Sequence, residues 1–124
     1  DDVTKLDDIY LIGRKDYVVK KREALKDLTE PLDNSKPLIL LDHQPHDYEL
    51  NEQLGIDLQL SATHAGQIFP LNFLFSFIRV NDLNYGIEVN NNFHGIVTSG
   101  MGGWGYAMRT AKHSEIVVVN LKSS

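Results

Sequence analysis

At 124 residues and 42% hydrophobic content, the chain is the size of one globular domain, and a chain of that length buries about two thirds of its unfolded surface without staples. It contains no cysteine, which excludes disulfides, thiolate metal sites and thiol nucleophiles. Its formal net charge of −5 argues against a general nucleic-acid binder, which shows a basic balance or stripe.

The opening DDVTKLDD has neither the basic start nor the apolar stretch of a signal peptide. Asp8 to Gly13, DIYLIG, is a short β-branched and aromatic run ending in glycine, and reads as a buried strand. Positive charge then concentrates in RKDYVVKKR, Arg14 to Arg22. With Asp1, Asp2, Asp7 and Asp8 close by, this mixture predicts a solvated face rather than a phosphate-binding patch. Lys20 to Leu28 carries Ala24, Leu25 and Leu28 at helical spacing, closed by Pro31. Pro37 opens a second buried strand, LILLD from Leu38 to Asp42, which stops at His43 and Pro45. An amphipathic helix from Asp47 to Leu54 ends at Gly55, and IDLQLS is the next strand. The order strand, helix, strand, helix, strand predicts parallel βαβ crossovers in an α/β layer.

The apolar segment Ile68 to Val80 is shorter than the roughly 20 residues of a bilayer-spanning helix. It reads either as a buried helix or core strand or, because Phe73, Leu74, Phe77 and Ile78 follow helical spacing, as a surface that touches lipid or an apolar substrate tail. Tyr85 to Val89, Gly95 to Ser99 and Glu115 to Leu121 read as strands between Asn- or Gly-rich turns, with at most a short helix around Tyr106 to Lys112. This later part is expected to be antiparallel. No internal repeat or linker divides residues 1–124, which read as a single structural unit.

Few patterns carry chemistry. GMGGWG, Gly100 to Gly105, has the spacing of a dinucleotide-binding loop, but that fingerprint needs a sizeable helix, another parallel strand and an acidic residue about 20 positions on. The chain ends first, so a glycine-rich loop allowing close backbone approach is expected there. No G-x-S-x-G elbow is present, and Ser99 has no evident base. The histidines are more informative. His43 follows LILLD and His64 follows DLQLSAT, so both come just after the carboxyl ends of predicted parallel strands, where α/β sheets place ligands. Two imidazoles from adjacent strand ends can share a borderline cation, and the small residues beside His64 leave room for an ion and its waters. Asp42 and Asp47 are further carboxylate candidates. His46 makes an HxxH pair with His43, though Pro45 argues against a helix there; His94 and His113 are expected to face solvent.

At these residues the sequence resembles the calcineurin-like metallophosphoesterases, specifically a bacterial branch with membrane-associated members. LLDHQP looks like that family's strand-end histidine before a proline, and THAGQIFP like the end of its G-H-T-H-G/A-G-Q-I-F-P motif. SGMGGWGYAMR followed by EIVVVNL is similar to its closing glycine-rich turn and last strand. The resemblance implies the C-terminal half of a four-layered α/β/β/α sandwich. It also implies two divalent ions (Mn, Zn or Fe), hydrolysis of phosphate esters by a metal-activated water, and His43 and His64 as ligands, one to each ion. Two such ions about 3.5–4 Å apart activate a bridging water and neutralise the phosphoryl oxygens.

The family's D-x-H, G-D-x-x-D and G-N-H-D/E motifs do not occur in this chain, and SATHAGQ lacks the first histidine of the family's pair. The resemblance therefore implies an inactive isolated chain, with its remaining ligands supplied by the missing N-terminal half. The membrane-associated branch and the Ile68 to Val80 segment suggest a lipid-linked phosphate ester and peripheral membrane contact of the parent. The rival reading is a non-catalytic interaction module that has lost the metals and self-associates through an exposed sheet face.

Overall fold

A computed structural model describes residues 1–62, 82–83, 85–100 and 114–122. Its strands are β1 (Asp2–Leu6), β2 (Ile9–Gly13), β3 (Leu38–Leu41), β4 (Leu58–Ala62), β5 (Gly86–Asn90) and β6 (Phe93–Thr98), and its helices are α1 (Leu25–Thr29) and α2 (Tyr48–Gln53). The strands form one sheet in the order β1-β2-β3-β4-β6-β5. The central pairs β2–β3, β3–β4 and β4–β6 are parallel, while β1–β2 and β5–β6 at the two edges are antiparallel.

Both edges are hairpins joined by two residues. Asp7 (φ 50°) and Asn91 (φ 48°) take the left-handed backbone that these turns require, a conformation that Asp and Asn tolerate better than most side chains. The charged opening is therefore not only a surface: Asp2–Leu6 is the edge strand β1, largely exposed, a position where charge blunts further pairing. The two crossovers expected in the first half are present, with α1 between β2 and β3 and α2 between β3 and β4.

Three expectations are corrected. The Gly95 to Ser99 segment belongs to a strand that joins β4 in parallel and is antiparallel only to β5, so the parallel core has four strands. Glu115 to Leu121 forms no strand, and Ile116, Val118 and Leu121 are exposed. Finally, α1 starts at Leu25 rather than near Lys20, with Ala24 extended before it (φ −68°, ψ 137°). Arg22, ahead of that start, is paired through its guanidinium with Asp42 beyond the end of β3. Ile68 to Val80, Tyr106 to Lys112, His64, His113 and the GMGGWG loop after Gly100 lie outside the described residues.

Alternation along the strands gives the sheet two different faces. One carries the register row Ile12–Leu40–Gln59–Gly95, together with Leu38, Phe93 and Val97, all of them buried. Leu25 and Leu28 of α1 and Tyr48 of α2 close over it, and Ile56 joins the same cluster. The fit is tight at Gly95, where a Cβ would lie 2.6 Å from Tyr48 Cε2, so only glycine lets the ring rest on β6. Gln59 is fully buried here; its amide donates to Ser61 Oγ (3.1 Å) and its carbonyl accepts from Asn51 of α2 (2.6 Å). Helix α2 ends as its sequence predicts: Gly55 (φ 81°) allows Gly55 N–H to reach Glu52 O and Ile56 N–H to reach Asn51 O, each at 3.0 Å, a Schellman stop.

The opposite face carries the rows Leu41–Leu60–Ile96–Ile87 and Leu11–Ile39–Leu58–His94–Val89. Ile39 and Leu58 are buried near its centre, but Leu41 is 41%, Val89 55% and Ile87 68% exposed. It is an apolar surface that no described helix covers.

Candidate functional site

The parallel strands deliver their carboxyl ends to one edge of the sheet. Leu41 of β3 pairs with Leu60 of β4, and Asp42 N–H continues the ladder to Leu60 O at 3.2 Å. On the other side of β3, Arg14 N–H donates to Leu41 O at 3.0 Å. His43 therefore stands directly beyond β3, half-buried. The following backbone is fixed by an Asx-type turn, in which Gln44 N–H donates to Asp42 Oδ1 at 3.3 Å. β4 runs beside β3 and ends at Ala62, two residues before His64. The two strand ends that precede the expected histidine pair are thus adjacent, while His64 itself is outside the described residues.

Asp42 is not an available carboxylate ligand. It is buried and accepts from Arg22 Nη2, with Arg14 Nη1 3.7 Å from the same Oδ2. This overturns the reading of Arg14 to Arg22 as a wholly solvated face. Lys20 and Lys21 are exposed, but the Arg14 and Arg22 side chains are only 10% and 11% exposed and point into the strand-end cluster. Arg14 Nη2 also donates to Glu23 O at 2.8 Å. Desolvation, followed by the neighbouring Arg22, pushes the Arg14 guanidinium below its usual range, with Asp42 and Asp47 pulling the other way. The signal for this cluster was in the sequence: Arg14 and Asp42 each directly follow an apolar strand, so adjacent parallel strands set opposite charges side by side.

Around the cluster, the Arg22 guanidinium lies 5.7 Å from the Tyr17 ring centroid and Tyr17 packs at 5.5 Å against His46. His46 is thus an aromatic neighbour of this loop. The Asp16 carboxyl is held below its usual range by Val18 N–H, then by the Gln44 amide, with smaller contributions from His43 and Arg22. His94 on β6 is exposed, as expected. Ser99 is buried, its N–H donating to Glu115 Oε1 at 3.1 Å.

Asp47 takes a left-handed conformation before α2 (φ 62°) and lines an open groove of about 670 Å³ with Tyr48, Glu49, Asp82 and Glu88. Asp82 also accepts Tyr48 N–H at 2.9 Å and so supplies the helix with its missing cap. Its four carboxylates repel a bare phosphate ester, and among the described residues Asp47 belongs to no group of three side chains that could hold a metal ion.

Among the described residues no group of three or more His, Asp or Glu side chains is placed to hold a metal ion. A catalytic zinc site commonly takes three protein ligands and an open position, and here Asp42 is committed to Arg14 and Arg22. The described residues alone do not fit a metal centre.

No family profile and no solved structure matches the chain. Curated proteins do. An uncharacterized metallophosphoesterase of Helicobacter pylori strain J99 is 40% identical over 120 residues, covering 91% of this chain and 32% of that protein. One from Campylobacter jejuni is 43% identical over 94 residues, 73% of this chain and 24% of its own length. A zebrafish (Danio rerio) transmembrane protein with a metallophosphoesterase domain is 42% identical over 92 residues, 71% of this chain and 21% of that protein. The chain spans about a third of the length of the Helicobacter relative. With that identity sustained along nearly all of its residues, the chain belongs to the metallophosphoesterase family.

Proposed function

We propose that the chain forms the C-terminal half of a two-metal phosphoesterase domain whose parent hydrolyses phosphate esters with divalent ions such as Mn, Zn or Fe. The observation that carries this reading is the 40% identity across 91% of the chain to a metallophosphoesterase. His43 and His64 are its contribution to the metals, one to each ion, and the other ligands come from outside this segment. The position of His43 beyond β3, beside the end of β4, supports that role. The apolar face of the sheet that no described helix covers has the composition of an inter-sheet surface, which supports a four-layered sandwich in which a second sheet packs on Leu41, Leu60, Ile87 and Ile96. On this reading the chain by itself is hydrolytically inactive, because two histidines do not complete a catalytic site.

The test is calorimetric titration of the metal-free chain with Mn²⁺ and Zn²⁺, alongside His43→Ala and His64→Ala. Residual binding at micromolar strength or tighter that each substitution weakens by about tenfold or more is the expected outcome. Binding indifferent to both histidines would remove them from the metal site and with them this assignment.

A further inference from the structure

Two guanidiniums share one carboxylate at the carboxyl edge of the parallel strands. Such a cluster carries an excess positive charge, and its hydrogen bonding is unbalanced. Arg14 Nε, Arg22 Nε and Arg22 Nη1 are buried and have no hydrogen-bond partner among the described residues. Buried donors are rarely left so, and those on charged groups least of all. The available acceptors are already committed: Asp42 Oδ2 faces both arginines, Asp42 Oδ1 takes Gln44 N–H, and Glu23 O takes Arg14 Nη2. Asp16 accepts instead from Val18 N–H and the Gln44 amide. The rest of the loop adds Lys20 and Lys21, both exposed, while Asp1 is taken up by Lys15 and by the Lys15 and Glu23 N–H groups.

We propose that Arg14 and Arg22 form a binding site for a tetrahedral oxyanion, the phosphoryl group of a phosphate compound, in which the anion takes the unpartnered guanidinium N–H groups and competes with Asp42 for the rest. Guanidinium presents paired N–H donors in a planar fork that matches phosphate oxygens. Asp42 is then the anion's stand-in, holding the two arginines together when the site is empty. The unpartnered N–H groups are closed to water, so admission requires a local opening. Tyr17, whose ring lies 5.7 Å from the Arg22 guanidinium, is 63% exposed and Val18 81% exposed, so little burial resists movement of these two residues. The groove lined by Asp47, whose carboxylate also acts on Arg14, is acidic and is not the site for the same ligand.

The choice of phosphate over other oxyanions rests on the phosphoesterase reading, and the test is arranged so that the two fail separately. Inorganic phosphate is titrated into the chain in the presence of a chelator, with binding read from backbone amide shifts and from the rise in melting temperature. Wild-type protein is expected to show saturable shifts at Arg14, Arg22 and Gln44. Arg22→Gln should weaken binding about tenfold or more, with Arg22→Lys in between. Asp42→Asn should do the opposite and tighten binding several-fold by removing the competing carboxylate, an effect that simple loss of structure cannot produce. Saturable shifts without sensitivity to Arg22, or equal weakening by Arg22→Gln and Asp42→Asn, would overturn the proposal, as would absence of binding. Because metal is chelated throughout, failure of the histidine metal site leaves these outcomes unchanged.

Discussion

The two faces of the sheet are made from similar residues and end in opposite states. On one, Ile12, Leu38, Leu40, Phe93 and Val97 are sealed by two helices of five and six residues. On the other, Leu41, Ile87 and Val89 stand in the open although they are no less apolar. Hydrophobicity alone does not decide burial; what matters is whether the crossovers pass over that side. Both helical crossovers of the parallel strands serve the first face, and nothing among the described residues serves the second.

That contrast predicts unequal costs of substitution. Leu40→Ala leaves a cavity under α1 and α2 and should cost about 2–5 kcal/mol by urea denaturation. Ile87→Ser on the open face should stay within about 0.5 kcal/mol in the isolated chain. Similar values for the two would erase the distinction between the faces. A smaller effect comes from overfilling the covered side: Gly95→Ala places a Cβ 2.6 Å from the Tyr48 ring and should cost about 1–3 kcal/mol. If that contact is the cause, adding Tyr48→Leu to Gly95→Ala should recover part of the loss, and a strictly additive double variant would assign the cost elsewhere.

The smallest effect concerns one hydroxyl. Tyr48 Oη is buried without a partner among the described residues, and burial, then Glu88 and Asp82, push its ionisation well above the usual tyrosine range. A folded-state value raised above the unfolded one leaves stability intact below about pH 10 and lowers it as pH rises beyond, because the unfolded chain ionises first. Tyr48→Phe should therefore flatten that alkaline decline and stabilise the chain at neutral pH by about 1 kcal/mol. An unchanged alkaline slope would show that the phenol is not the titrating group.

Much of the parallel core was legible because its signals are local. DIYLIG, LILLD and IDLQLS are apolar runs closed by turn residues, and Gly55 stops α2 through a backbone conformation that glycine adopts freely. β1 was not legible: its residues are those of a solvated edge, and only its pairing with β2 makes it a strand. The direction of β6 was equally hidden, since an alternating run does not record which neighbour it will join. Glu115 to Leu121 shows the reverse case, strand-like residues with no strand beside them among those described. In the candidate site, His43 was readable from its place after a strand. The Arg14–Asp42–Arg22 cluster was missed because charge run together in sequence looks like surface, whereas its two ends turn inward toward a carboxylate from another strand.

The order of strands in the sheet also sets an order in time. The edge hairpins close through two-residue turns, events of about 1–10 μs, but β4, paired with β3 on one side, finds its second parallel neighbour only when Phe93–Thr98 exists. At ribosomal speeds of about 5–20 residues per second, the stretch between β4 and β6 takes on the order of seconds to emerge. Throughout that interval the second edge of Leu58–Ala62, the one β6 will take, is an open template for any passing strand. During biosynthesis the vulnerable part of this protein is therefore not its exposed surface but the seam at its centre.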